Sequence, residues 1–335
     1  YRHPAAGPLK ARAEREKDLP KPRNSFDLMG NLKRIPCNSP GKLDDGEHFR
    51  QLVRDENGAA LFEDEPLEPI HIFYRFHGQS VHDFQSNNTP ALGVTSLLNT
   101  LQSATKALRS STNLYMLVNG PTALMHKAWL HKVLDNLNLE SVQILEAPEG
   151  AQESYKFMVQ EMGKVKDVPN AIIMMMEEDY LVHPDMLTRL VEFWSLYQPC
   201  SAVPYEDPDY YLHRQKRNPR FRHHNTVLRT PSLFWRTVGW STGTIALRLD
   251  LFHELHSKFL LPVGKSDSKS WVKWVRQYGI WAPMPVLASQ MHMDSLHDKH
   301  HDQSFDPDFD YISYMKRLQA EATELGYFAT EKKGA

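Results

Sequence analysis

Little in this chain points towards a membrane, a nucleic acid or a glycine-cradled phosphate. No apolar run approaches the roughly 20 residues needed to cross a bilayer. Net charge is only −2, so no global field draws the chain to nucleic acid or to an anionic surface. Cysteine is scarce: Cys37 and Cys200 are the only two, and the count leaves open both a disulfide in a secretory compartment and two free thiols. No strand-to-helix turn carries G-x-G-x-x-G or a Walker A sequence. That disfavours a dinucleotide-binding or P-loop reading. Any bound nucleotide is held without a glycine-rich phosphate loop.

What is present is ordinary in bulk and pointed in detail. The chain has 335 residues, 41% hydrophobic and 24% charged, enough for one large or two modest domains with a sizeable core. Its most informative stretch is Ala171 to Asp185, AIIMMMEEDYLVHPD. A short uninterrupted apolar run suits a strand buried on both faces, and it leads straight into Glu177, Glu178 and Asp179. In open α/β sheets the carboxyl ends of such strands are where ligands bind. Three adjacent carboxylates repel one another unless a cation or hydrogen-bond donors hold them. A hard divalent cation, Mn²⁺ or Mg²⁺, is the natural partner; the competing reading is a solvated acidic turn. Asp185 reads as a helix start before MLTRLVEFWSLY.

Strand and helix patterns alternate four times between Pro69 and Asp179. IHIFYRF, NLYMLVNG, SVQILEAP and the opening stretch read as strands, separated by helical patterns through ALGVTSLLNTLQSATKAL, AWLHKVLDNL and QESYKFMVQEMGKV. The first of these helices places Leu92, Val94, Leu97, Leu98 and Leu101 towards a core. This order predicts an α/β fold, with a Rossmann-like, mostly parallel sheet flanked by helices and right-handed crossovers. Residues 1–55, proline-rich and mixed in charge, read as a linker or stem. Residues 56–200 read as an α/β half, and 201–335 as a second half closed by an amphipathic helix around Ile312, Met315, Leu318 and Leu325. Early in the second half, Pro204 to Asn225 mixes aromatic and basic residues and reads as a long surface loop. WSTGTIALRLDLFHELH, Trp240 to His256, reads as a glycine-containing turn, a strand and a helix. Ser266 or Asp267 opens another helix, and PMPVLASQMHMD holds a strand ending near His292.

The order of these parts resembles a GT-A glycosyltransferase. It is most similar to the inverting N-acetylglucosaminyltransferases of N-glycan processing, which carry a Glu-Asp-Asp motif of the DxD type. The resemblance runs from Ile70 to Asp298 in order of elements, with literal identity confined to short motifs. It implies a UDP-sugar or other nucleotide-sugar donor, a glycan or glycoconjugate acceptor, no nucleic acid, and Mn²⁺ or Mg²⁺ as cofactor. By the same resemblance Asp179 would bind the metal, Glu178 would lie beside the ribose or donor sugar, and Glu177 would lie further out. The family more often has Asp in the middle position, where this chain has the longer Glu178. His292 would complete the metal shell, and Asp267, at a helix N-terminus, would be the general base. Trp240 to Thr244, with Gly243, would form the turn beneath the donor sugar. Arg75, Phe76 and the segment Gln152 to Tyr155 would hold the nucleotide base. Capping is the plain alternative for Asp267, and a core or surface histidine for His292. The residues do not show which face of the sugar the acceptor meets.

Two other functions fit parts of the sequence. His292, His297, His300 and His301 could centre a zinc or iron hydrolase or oxygenase, although their spacing fits neither H-E-x-x-H nor a Cys/His zinc pattern. In a glycosyltransferase the same segment would close over bound donor. Residues 210–224 would grip an acceptor glycan or simply cross the surface. A glycan-binding module on a decayed transferase scaffold is the remaining alternative. The stem-like start, the sequon at Asn87 and a first residue that is Tyr1 rather than Met suit a Golgi type II membrane protein whose anchor was removed. Cytoplasmic residence is the alternative.

Overall fold

The strand Ile172–Glu177 (β6 below) sorts its side chains between two cores, and the architecture follows from that. Ile172, Met174 and Met176 pack into one buried cluster with Val94, Leu97, Leu190 and Val191. Ile173 and Met175 pack into another with Met158, Val159, Leu251 and Phe252. Period-two alternation with both sides apolar is what a strand covered on both faces requires.

A computed structural model describes residues 52–54, 60–62, 69–78, 89–107, 111–135, 137–166, 168, 170–205, 227–238, 243–261, 272, 274–291, 309 and 311–327. All of them belong to one compact unit, Arg34–Ala335. In chain order the strands and helices are β1 (Leu52–Arg54), β2 (Ala60–Phe62), β3 (Ile70–Phe76), α1 (Thr89–Ala107), β4 (Thr112–Asn119), α2 (Gly120–Met125), α3 (Lys127–Leu134), β5 (Ser141–Ala147), α4 (Ala151–Met162), β6 (Ile172–Glu177), β7 (Tyr180–Val182), α5 (Met186–Tyr197), β8 (Ser201–Ala202), β9 (Val227–Arg229), β10 (Phe234–Val238), β11 (Ile245–Arg248), α6 (Leu249–Phe259), β12 (Ile280–Met284), β13 (Ala288–Gln290) and α7 (Tyr311–Glu324).

Among the described residues the main sheet has nine strands in the order β5-β4-β3-β6-β11-β8-β12-β10-β9. Strands β5, β4, β3 and β6 are mutually parallel, as the four strand–helix alternations predict. Beyond β6 the sheet turns: β11 is antiparallel to β6 and to β8, β12 is parallel to β8, and β10 and β9 continue antiparallel. The α/β architecture with helices on both faces is the expected one. Strands from after residue 201 extend the same sheet, so the two expected halves share one continuous layer. Strands β1 and β2, on either side of the expected boundary between residues 55 and 56, pair antiparallel.

A second, two-stranded sheet pairs β13 with β7, with Gln290 opposite Tyr180. Helix α7 lies over α1 and this small sheet. Leu92, Leu181, Met291, Tyr314 and Leu318 form its buried cluster, and the Tyr314 hydroxyl donates to the Val182 carbonyl at 3.2 Å. No helix among the described residues is long and apolar enough to cross a membrane.

Candidate functional site: the acid turn at the end of β6

β6 ends on Glu177, and the chain turns through Glu178 and Asp179 into β7. The turn lies at the carboxyl edge of the parallel block, where β3, β4 and β6 also end. Main-chain bonds fix it from several sides. The Met291 N–H donates to the Asp179 carbonyl at 2.7 Å, which brings the chain immediately before His292 to the acid turn. The N–H groups of His77 and Gly78, just past β3, donate to Glu178 Oε2 at 2.8 and 3.0 Å.

Helix α1 closes the other side through small residues. A Cβ on Gly93 would overlap the Glu178 carbonyl oxygen and approach the Tyr74 hydroxyl to 2.8 Å. One turn on, the Ser96 hydroxyl donates to the Gly93 carbonyl at 2.9 Å and accepts from the Val182 N–H at 3.3 Å. The Thr100 hydroxyl accepts from the Leu187 N–H at 3.2 Å. Residues 93, 96 and 100 share one helix face, and that face is the seam between α1 and the segment carrying the acids.

The three acids occupy different environments. Glu177 pairs with Arg75, its partner in the β3–β6 register, and its Oε2 lies where a Cβ on Gly243 would stand. Gly243 has φ +34°, in the left-handed region that favours glycine. Glu178 is 4% exposed, and burial pushes its carboxyl up to about 8, against the pull of the Gly78 and His77 N–H groups. Its Oε1 has no hydrogen-bond partner among the described residues. The Tyr74 hydroxyl beside it is raised well above its ordinary value, first by burial and then by the charges of Glu178 and Asp179. Asp179 is half-buried on the turn.

Arg75 is 5% exposed. Besides Glu177, it donates to the Ala151 carbonyl at 3.2 Å and faces the Tyr155 ring at 6.0 Å. The structure thus brings Arg75, Tyr155, Glu177, Glu178, Asp179 and Gly243 to one edge, with Gln152 exposed on the first turn of α4. Phe76 differs from the expectation. It is fully enclosed, with its ring edge-on to His126 at 6.2 Å, because alternation along β3 turns it to the face of Tyr74 and away from that of Arg75. In this arrangement it offers no face to a nucleotide base.

Several expected residues lie outside the described ones: Trp240, Asp267, His292, His297, His300, His301, Cys37, the sequon at Asn87 and the loop 210–224. Asp185 does precede α5, but it makes no side-chain cap; its carboxylate accepts from Arg189 at 3.1 Å. Among the described residues no cluster of three or more His, Cys, Asp or Glu is arranged to hold a metal.

Residues not anticipated from the sequence also build this edge. Asn119, at the end of β4, donates from Nδ2 to His77 Nδ1 at 2.9 Å, and to the Gly150 carbonyl at 3.5 Å. That joins the ends of β3 and β4 to the start of α4. Thr244, next to Gly243, is buried, and its hydroxyl has no partner among the described residues. The readable signal for His77 and Gly78 was their place directly after the first strand, and for Gly93, Ser96 and Thr100 their small size at helical spacing.

No protein-family profile and no curated protein sequence matches the chain. Among solved structures it is similar to galactosyltransferase LgtC in complex with donor and acceptor sugar analogues, at 10% identity and a TM-score of 0.39 over 77% of this chain and 96% of that one. An active-site mutant of LgtC gives 11% identity and a TM-score of 0.33, over 63% of this chain and 64% of that one. The apo structure of the bifunctional glycosyltransferase WbbM gives 10% and 0.37, over 80% of this chain and 46% of that one. Likeness at this level is one of chain path and transfers no residue roles.

Proposed function

We propose that the protein is a metal-dependent glycosyltransferase of hexosyl or N-acetylhexosaminyl type. It would move a sugar from a nucleotide-diphosphate donor, a UDP-sugar, to a hydroxyl of a glycan or glycoconjugate, with inversion. One observation carries the reading. The acid turn stands at the carboxyl edge of a parallel block, and the Asp179 carbonyl accepts from the Met291 N–H at 2.7 Å. An acid and the chain leading into a histidine are thereby joined at the edge where α/β sheets bind ligands.

Asp179 and His292 would hold Mn²⁺ or Mg²⁺. Asp179 fits in kind: it is a half-buried carboxylate on the turn after β6, and oxygen ligands suit a hard cation. When bound, the cation would neutralise the charge that gathers on the leaving diphosphate. Glu178 would lie on the donor side, where its unpartnered Oε1 suits a ribose or sugar hydroxyl. Gly243 and Thr244 belong to the turn beneath the donor sugar, and Gln152 to the nucleotide side. Asp267 would take the proton of the acceptor hydroxyl on the face opposite the leaving group, a contribution of about 10²–10⁴-fold.

We place the protein in the Golgi lumen. Cys200 is disulfide-bonded, which supports an oxidising compartment.

A thermal-shift panel of nucleotide sugars with and without Mn²⁺ tests the donor and the metal together. A shift with one UDP-sugar that depends on Mn²⁺ is expected. Tightly bound zinc or iron in the purified protein would instead favour the histidine-rich hydrolase or oxygenase. A shift with free glycans and none with any nucleotide would favour a binding module.

A further inference from the structure

We infer that Arg75 and Glu177 are positioning residues and not donor contacts: their ion pair holds the start of α4 and the Gly243 turn in place on either side of the acid turn. The inference rests on the glycosyltransferase reading and deepens it.

Register places the two residues opposite each other on β3 and β6. The guanidinium reaches two other elements, donating to Glu177 on β6 and to the Ala151 carbonyl on α4 at 3.2 Å, and facing the Tyr155 ring one turn further along α4. The carboxylate of Glu177 is engaged at both ends. Its Oε1 accepts from Arg75, and its Oε2 fills the space that any side chain larger than glycine would need at position 243. A buried arginine committed in this way has little left to offer a nucleotide. A carboxylate bonded on one oxygen and abutted by backbone at the other is a poor metal ligand. That removes Glu177 from the candidate metal ligands of the acid triplet.

Net stability is a weak reason for such a pair, since a buried ion pair replaced as a unit by apolar residues of similar shape often leaves a protein as stable or more so. What apolar residues do not reproduce is direction. The planar fork of arginine fixes its partners at set angles, and here those partners are the flanks of the proposed donor site.

This separates positioning from simple structural support. The double variant R75M/E177L is expected to unfold within about 4 °C of the wild type. Isothermal calorimetry with UDP and Mn²⁺ should show it binding about tenfold more weakly or worse. A double variant that binds UDP like the wild type overturns the inference. If that protein does not fold, Glu177→Asp carries the test. It keeps the charge but withdraws the carboxylate from Gly243 by one methylene, so its UDP Kd should rise about fivefold, as expected for coupled neighbours. An unchanged Kd overturns the inference. The two readings fail differently: a wild type that never binds UDP with Mn²⁺ removes the glycosyltransferase, whereas wild-type binding with insensitive variants removes only the positioning role.

Discussion

Replacing Gly93 by alanine sets two effects of opposite sign against each other. Within a helix, alanine is favoured over glycine by about 0.5–1 kcal/mol, so propensity alone predicts a more stable protein. The seam predicts the reverse. The new methyl would overlap the Glu178 carbonyl oxygen and lie 2.9 Å from its carbon and 2.8 Å from the Tyr74 hydroxyl. These neighbours have little room to yield, since Tyr74 is fully buried and the turn is pinned by the Met291 N–H at Asp179 and the His77 and Gly78 N–H groups at Glu178. Overpacking of this kind costs about 1–3 kcal/mol. Taking about 2 for the clash and about 1 for propensity, the net loss is about 1 kcal/mol, or roughly 1–2 °C in Tm for a chain of this size. Displacement should weaken binding more than stability, because the methyl presses on the residue next to Asp179, and a misplacement near 1 Å can cost about 10²-fold in function. Differential scanning fluorimetry and calorimetry with UDP and Mn²⁺ read both quantities. A G93A protein that melts higher than the wild type and binds UDP equally well would show that α1 does not press on the acid turn.

Asp179→Ala should abolish transfer and remove the Mn²⁺-dependent part of donor affinity; equal donor binding with and without metal, in wild type and variant alike, would refute a metal bridge. Asp267→Asn should bind UDP-sugar normally and lose about 10²–10⁴-fold in transfer rate, so retained transfer in a steady-state assay would exclude Asp267 as base. The raised carboxyl of Glu178 predicts a pH dependence in chelator-treated protein. Between its ordinary value of 4.5 and about 8, the folded state keeps a proton that the unfolded state has released, so wild-type stability falls as pH rises through that window. Glu178→Gln cannot titrate, and its Tm advantage over wild type should grow from pH 5 to pH 8.5; parallel Tm–pH curves would contradict the burial.

The parallel block was legible because its signals are local. An apolar run as continuous as Ala171 to Met176 can be covered only on both faces, and the acids that follow mark where it leaves the core. Most of the small strands were not legible. β7, β8 and β9 hold two or three residues each, too few for alternation to show, and they exist because partners elsewhere in the chain supply their bonds. The Arg75–Glu177 pair was hidden for a related reason. A charge at a strand end shows no partner in the sequence until register places Glu177 across from it. Phe76 was misread at the same edge, where one step along β3 decides between the core and the site. Gly93, Ser96 and Thr100 were hidden among the leucines of a good amphipathic pattern, whose apolar positions drew the attention.

The bonds that locate the acid turn have one further consequence. At positions 77 and 291 the groups that hold it are main-chain amides, and an amide donates whichever side chain its residue carries. The site dictates residue type most strictly where the chain approaches its neighbours closely, at Gly78 (φ +68°), Gly93 and Gly243. A lineage could therefore rewrite most of the surrounding letters and keep Asp179 at the same address. An engineer reshaping donor choice has latitude at 77 and 291 only within their side-chain contacts, since His77 is bonded to Asn119 and Met291 is buried among Leu92, Leu181 and Tyr314.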